Sequence, residues 1–197
     1  MIRPHQIRSE IARLLEVLRR TPPERVLEIG TADGGTLYLL ARTAAPSAQI
    51  ISVDLPGGLF GDGVAYPKWR APLYRNFRRP EQSIRLLRGD SHEAATVERV
   101  REELAGRQLD FLFIDGDHSY EGVKSDFELY EPFVRPGGIT AFHDIVEATT
   151  PEAIARRCLA GGDVPRFWQE IRATRMTEEF IQDGRQGWAG IGIVRKT

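Results

Sequence analysis

Between Arg25 and Asp144 the chain repeats one rhythm, a short and nearly unbroken apolar run followed by a stretch whose apolar residues recur at helical spacing. RVLEIG (25–30), QIISVD (49–54), SIRLLRGD (83–90), LDFLFIDGD (109–117) and PGGITAFHD (136–144) read as strands. TLYLLARTA (36–44), HEAATVERVREEL (92–104) and YEGVKSDFELYEPFV (120–134) read as the helices between them. Strands that are apolar on both sides need cover on both faces, which predicts an α/β, Rossmann-like, doubly wound and mostly parallel sheet. Ahead of it, His5 to Arg20 places Ile7, Ile11, Leu14, Leu15 and Leu18 on one face of a leading helix that Pro22-Pro23 stops. Beyond it a helix from about Pro151, interrupted near Gly161-Gly162 and resuming through Phe167 to Ile171, precedes RMTEEFIQ and WAGIGIVRK. Joined by QDGRQG, these two read as a closing antiparallel hairpin, which makes seven strands; a helix is the alternative for RMTEEFIQ.

A length of 197 residues suits one domain, here 1–197, with 1–22 as its leading helix and 55–79 as a loop or lid. A net charge of −1 gives no global attraction to nucleic acid or an acidic membrane, and no apolar run is long enough to span a bilayer. The single Cys158, within AIARRCLAG, permits no internal disulfide and reads as structural; MIRPHQIRSE lacks the apolar centre of a signal peptide. The cytoplasm is the expected location. Only Lys68, Lys124 and Lys196 are lysines among 27 basic residues, so the other 24 are arginines.

The strand ends carry the chemistry. Glu28-Ile-Gly30-Thr31-Ala32-Asp33-Gly34-Gly35-Thr36 joins the first strand to its helix, where glycines let the backbone approach a ligand and the helix offers free N–H groups to an anion. A dinucleotide fingerprint needs glycine where Ala32 stands; a tight turn without ligand is the other reading. Asp54 ends the second strand, where a carboxylate takes ribose hydroxyls or caps the next turn. Asp90-Ser91, after the third, suits an adenine contact or a helix cap. Asp115-Gly-Asp117-His118 and His143-Asp144 end the fourth and fifth strands; side by side they suit a divalent cation with His118 as a base, or else loop caps. His5 and His92, without acidic company at a strand end, read as solvated or capping.

At VLEIGTADGGT, ISVDLPGG, LLRGDSHE, FLFIDGDHSYEGVKSDFELYEPFVRPGGITAFHDI and GWAGIGIV the chain resembles the class I S-adenosylmethionine-dependent methyltransferases. Within them it is similar to small bacterial O-methyltransferases akin to macrolide and aminocoumarin sugar O-methyltransferases and to proteins labelled cephalosporin hydroxylase. The resemblance implies S-adenosylmethionine bound through Glu28, Gly30, Thr31, Gly35, Thr36, Asp54, Asp90, Ser91 and Asp115. Thr36 takes the place of a hydroxyl that holds the methionine carboxylate, and Asp54 that of the ribose ligand. It puts a divalent cation, Mg²⁺ or Mn²⁺, on Asp115, His143 and Asp144, with His143 in place of a carboxylate, and puts the general base on His118.

The expected activity is methyl transfer to a small-molecule hydroxyl. The segment Lys68 to Arg88 holds seven basic residues against Glu81, and with Phe60, Tyr66, Trp69, Tyr74 and Phe77 it suits a lid over a polar, sugar-bearing or anionic acceptor, or else a dimer contact. A homodimer through the leading helix or this lid is the expected assembly, with neither nucleic acid nor membrane as partner. Two other functions stay open: a nucleotide-dependent oxidoreductase on the same sheet, and a cofactor-binding module without chemistry.

Overall fold

The structure, a computed structural model, describes residues 2–57, 66–151, 154–155 and 162–197. Seven strands form one sheet: β1 (Arg25–Ile29), β2 (Gln49–Asp54), β3 (Ser83–Arg88), β4 (Leu109–Ile114), β5 (Val134–His143), β6 (Thr177–Phe180) and β7 (Ile191–Arg195). Their order is β3-β2-β1-β4-β5-β7-β6, and β7 alone runs against its neighbours, as the closing hairpin requires. RMTEEFIQ is therefore a strand. The helices are α1 (Arg8–Arg20), α2 (Gly35–Thr43), α3 (Ala71–Arg75), α4 (Ala94–Leu104), α5 (Tyr120–Tyr130) and α6 (Val164–Thr174).

Alternation along each strand builds two cores. On β4, Phe111 and Phe113 join Leu14 of α1, Leu37 and Leu40 of α2 and Tyr74 of α3. Leu112 and Ile114 point the other way, onto Val100 of α4, Val123 and Phe127 of α5 and Trp168 of α6. The fully buried Glu10 fastens α1 to the β6–β7 connection, its carboxylate accepting from the Gly190 and Gln182 N–H groups and from Gln186 Nε2. The chain leaves β1 towards β2 on one side, while β4 lies on the other, so the carboxyl ends of β1 and β4 flank the point where the winding reverses. Such a crevice is where open α/β sheets hold ligands. No helix among the described residues is long and apolar enough to cross a membrane.

Two expectations change. The leading helix starts at Arg8, because residues 3–6 are not helical and are engaged with the turn after β1 and the start of α2. The segment 55–79 is not one irregular loop: Lys68–Arg70 forms a 3-10 turn and Ala71–Arg75 the helix α3. Tyr66, Tyr74 and Phe77 are buried, with ring centroids 4.8 Å apart for Tyr66–Tyr74 and 5.4 Å for Tyr74–Phe77, so these aromatics are core, whereas Trp69 is exposed. Phe60 and Cys158 lie outside the described residues.

Candidate functional site

The turn after β1 is built by close approach. Gly30 sits at φ +94°, and a Cβ there would stand 2.0 Å from the Asp115 carbonyl oxygen, so β1 and β4 meet only because this position is glycine. Ala32 also adopts positive φ, 43°, and is pinned there by the Tyr74 hydroxyl donating to its carbonyl at 3.1 Å and by its N–H reaching Asp54 Oδ1 at 3.4 Å. Asp54 Oδ1 also accepts the Thr31 N–H at 3.0 Å, while Oδ2 is buried without a partner; burial pushes this carboxyl up to about 6. Glu28 is fully buried. Its Oε2 accepts from Ser52 Oγ at 2.5 Å, Ser52 Oγ lies 2.6 Å from Thr31 Oγ1, and Glu28 Oε1 has no partner. Burial first, then the nearby Asp115 and Asp54 charges, push the Glu28 carboxyl up to about 8.

The other half of the rim is a knot of two carboxylates and two imidazoles. Parallel pairing of β4 with β5 sets Ile114 beside Phe142, so Asp115 and His143 emerge as neighbours. Asp115 Oδ1 lies 3.0 Å from His143 Nδ1 and 3.2 Å from His118 Nε2; Asp144 Oδ2 lies 3.4 Å and 3.3 Å from the Nδ1 atoms of the same two rings. Asp144 holds a left-handed backbone, φ 60°, which turns its carboxylate into the knot. Burial would raise Asp115, but the His143 and His118 imidazoles outweigh it and hold the carboxyl well below the usual range. Burial would lower both rings, yet the carboxylates lift each above its ordinary value. One donor atom each from Asp115, His118 and Asp144 fall within 4.8 Å of one another, the grouping of a cation site. This set contains His118, the residue expected as base, rather than His143. His143 is 5% exposed with Nε2 buried and unpartnered, whereas His118 is 31% exposed.

The remaining expected residues divide. Gly35 opens α2, and the Thr36 hydroxyl there donates to Gln6 Oε1 at 2.8 Å. Asp90 caps its own turn, Oδ1 accepting the His92 N–H at 2.8 Å, and the Ser91 carbonyl accepts the Tyr130 hydroxyl at 2.7 Å. His92 is not without acidic company: its Nε2 lies 3.2 Å from the buried Asp126, whose hydrogen bond pushes the imidazole up to about 9. His5 Nε2 lies 3.2 Å from Asp33. The residue that sequence reasoning missed is Gln6, which is buried and donates to Asp115 Oδ2 at 2.6 Å. A lone glutamine before a helix carries no spacing signal that could have marked it.

Residues 27–145 match the family described as "Methyltransferase domain", and the chain is a member of it. Uncharacterized protein R132 of Acanthamoeba polyphaga mimivirus is 53% identical over 118 residues, 60% of this chain and 50% of that protein. Mycinamicin VI 2''-O-methyltransferase of Micromonospora griseorubida is 26% identical over 138 residues, 67% of this chain and 30% of that protein. The chain thus spans half or less of these relatives. An O-methyltransferase from Bacillus cereus, solved in complex with SAH, superposes with a TM-score of 0.66 at 20% identity, covering 98% of this chain and 84% of that one. The seven-stranded sheet with its antiparallel end is accordingly the class I methyltransferase fold.

Proposed function

We propose that the protein transfers a methyl group from S-adenosylmethionine to a hydroxyl of a small molecule, with a divalent cation at the acidic rim. The observation that carries the cofactor is the pair of buried, unpartnered oxygens, Glu28 Oε1 and Asp54 Oδ2, beside a turn whose glycine admits close approach. Asp54 suits a ribose diol, because Oδ1 is fixed by two backbone N–H groups and Oδ2 is left to accept. The Asp54 and Asp115 charges both act on Glu28 and leave it a neutral acid, and these two carboxylates favour a ligand bearing positive charge, as a sulfonium and an ammonium both do. An NAD phosphate would meet the same carboxylates as repulsion, so the oxidoreductase reading is not favoured.

Asp115 and Asp144 would hold Mg²⁺ or Mn²⁺, and the His143 expected as a third ligand falls outside the grouped donors. A cation so held lowers the pKa of an acceptor hydroxyl. With a cation on Asp115 and Asp144 in place of the ring's proton, the neutral His118 ring, the more exposed of the two, would take the acceptor proton on its free nitrogen, with the carboxylates on either side stabilising the imidazolium. The turn after β1 and the Asp54 carboxylate fix the cofactor, so that positioning supplies most of the acceleration. The exposed Trp69, with Arg75 and Arg78, suits contact with a polar or sugar-bearing acceptor, and pairing of two copies remains a further proposal for this surface. Calorimetric titration with S-adenosylhomocysteine and with NAD tests the reading: micromolar binding of the first and none of the second is expected, and the reverse overturns it. Mn²⁺ binding followed by electron paramagnetic resonance should be lost in Asp115→Asn and Asp144→Asn; unchanged binding in both removes the cation from the rim.

A further inference from the structure

The segment before α1 lies across the cofactor half of the rim in a way that neither the helix nor the core requires. Arg3 and Pro4 pass so close to Gly35 that a Cβ there would stand 1.9 Å from the Arg3 carbonyl carbon. His5 Nε2 and Arg3 Nε lie 3.2 Å and 3.7 Å from Asp33 Oδ2, in the turn after β1. Between these contacts and α1, Gln6 is 7% exposed, and its amide bridges two residues of the rim. Oε1 accepts the Thr36 hydroxyl proton at 2.8 Å, and Nε2 donates to Asp115 Oδ2 at 2.6 Å.

A primary amide carries two N–H donors and two lone pairs. With both bonds made, Gln6 keeps one N–H and one lone pair, matching a carboxylate on one side and an ammonium on the other. The Thr36 hydroxyl, by contrast, gives its only proton to Gln6. We propose that Gln6 is a cofactor-binding residue that recognises the amino-acid end of S-adenosylmethionine, and that residues 2–7 are a strap closing over that end. This rests on the cofactor reading given above. The free N–H of Gln6 serves the cofactor carboxylate, taking over the role expected of the Thr36 hydroxyl. Its other N–H holds Asp115 Oδ2, while Oδ1 of the same carboxylate faces His118 and His143, so one side chain joins the cofactor to the catalytic knot. Asp33 Oδ2 latches the strap through Arg3 and His5, while Oδ1 of the same carboxylate accepts from Arg70 at 2.9 Å, which ties the strap and the 3-10 turn alike to the turn after β1.

The test compares S-adenosylhomocysteine with 5′-methylthioadenosine, which keeps the adenosine and the sulfur but has no amino-acid end. Both are titrated by calorimetry into wild type, Gln6→Ala and Gln6→Glu, with thermal melts to confirm folding and amide hydrogen exchange read over residues 2–12. Gln6→Ala should weaken S-adenosylhomocysteine about tenfold, the loss of one hydrogen bond to a charged group, and leave methylthioadenosine unchanged. Gln6→Glu should weaken it further, by placing a carboxylate against Asp115 and the ligand's own. S-adenosylhomocysteine should slow exchange in residues 2–7 and methylthioadenosine should not. Equal affinity of wild type and Gln6→Ala for S-adenosylhomocysteine, parallel loss of both ligands, or unslowed exchange overturns the proposal. If wild type binds neither ligand, the cofactor reading falls and takes the strap with it; if it binds both and the variants do not distinguish them, that reading stands and the strap alone fails.

Discussion

Glu28 and Asp115 stand on adjacent strands, yet their carboxyl groups end in opposite states. Glu28, on β1, is fully buried and touches a single hydroxyl, so burial decides and its carboxyl is pushed up to about 8. Asp115, just past β4, is also shielded, but two imidazoles and the Gln6 amide surround it, and its carboxyl is held well below the usual range. One half of the rim therefore presents a neutral acid beside unpartnered oxygens, and the other a charged acid already paired. The first suits recognition of a cofactor by hydrogen bonds and the second suits moving a proton, so the division of labour follows from partners rather than from residue type.

The two halves touch at Gly30, and breaking that contact has the largest expected effect. Gly30→Ala forces a left-handed alanine whose Cβ meets the Asp115 carbonyl oxygen at 2.0 Å, whereas a Cβ on Gly57, at φ +88°, has nothing within 4 Å among the described residues. Denaturant melts should show a loss of about 4 kcal/mol for Gly30→Ala, from strain and overlap together, and about 1 kcal/mol for Gly57→Ala, from strain alone. Equal losses would mean that the strands can part at little cost.

Charge state offers the next test. Glu28 rises from 4.5 to about 8 on folding, so the folded chain takes up a proton and stability falls as pH increases through that window. At about 1.4 kcal/mol per pH unit the ceiling is about 5 kcal/mol, and we expect Glu28→Gln to gain about 3 kcal/mol at pH 8.5 relative to its effect near pH 5. Asp115 has the opposite sign. Its folded value lies below 3.8, so its contribution is present above that pH and lost as pH falls through the folded value. Asp115→Asn should therefore cost about 2 kcal/mol at pH 7, with the difference from wild type narrowing in acid. If Glu28→Gln and Asp115→Asn show the same pH slope, the contrast between the halves is wrong.

Much of this architecture was legible in the residues. Apolar runs such as LDFLFI and the glycine-rich turn have local causes, burial on both faces and a backbone that needs glycine, and both fall where expected. Asp115, His118, His143 and Asp144 meet because parallel neighbours bring their carboxyl ends level. What was not legible depends on contacts between distant segments. Gln6 reaches Thr36 and Asp115 across 30 and 109 positions, and His92 reaches Asp126 on α5 across 34. The aromatics Tyr66, Tyr74 and Phe77 flank or sit on a helix of five residues, too short to display a period, so a segment that is core read as loop.

His92 sharpens the comparison with the smallest effect. Asp126, like Asp115, is a shielded carboxylate beside imidazole, but it has one ring where Asp115 has two, and burial wins: its carboxyl is raised rather than lowered. At Asp126 the Asp117 charge adds to burial, whereas at Asp115 two imidazoles outweigh it. The His92 ring, lifted chiefly by its hydrogen bond to Asp126, titrates at about 9 in the folded chain against 6.5 ordinarily. A raised imidazole stabilises fully below the ordinary value, and that stabilisation disappears as pH rises from 6.5 through about 9. Because 29% of the ring is exposed, solvent reduces the effect, and His92→Asn should cost about 1 kcal/mol at pH 6. Urea melts at pH 6, 8 and 10 should show the variant and wild type converging as the proton leaves. A cost independent of pH would assign His92 a packing role and leave Asp126 governed by burial alone.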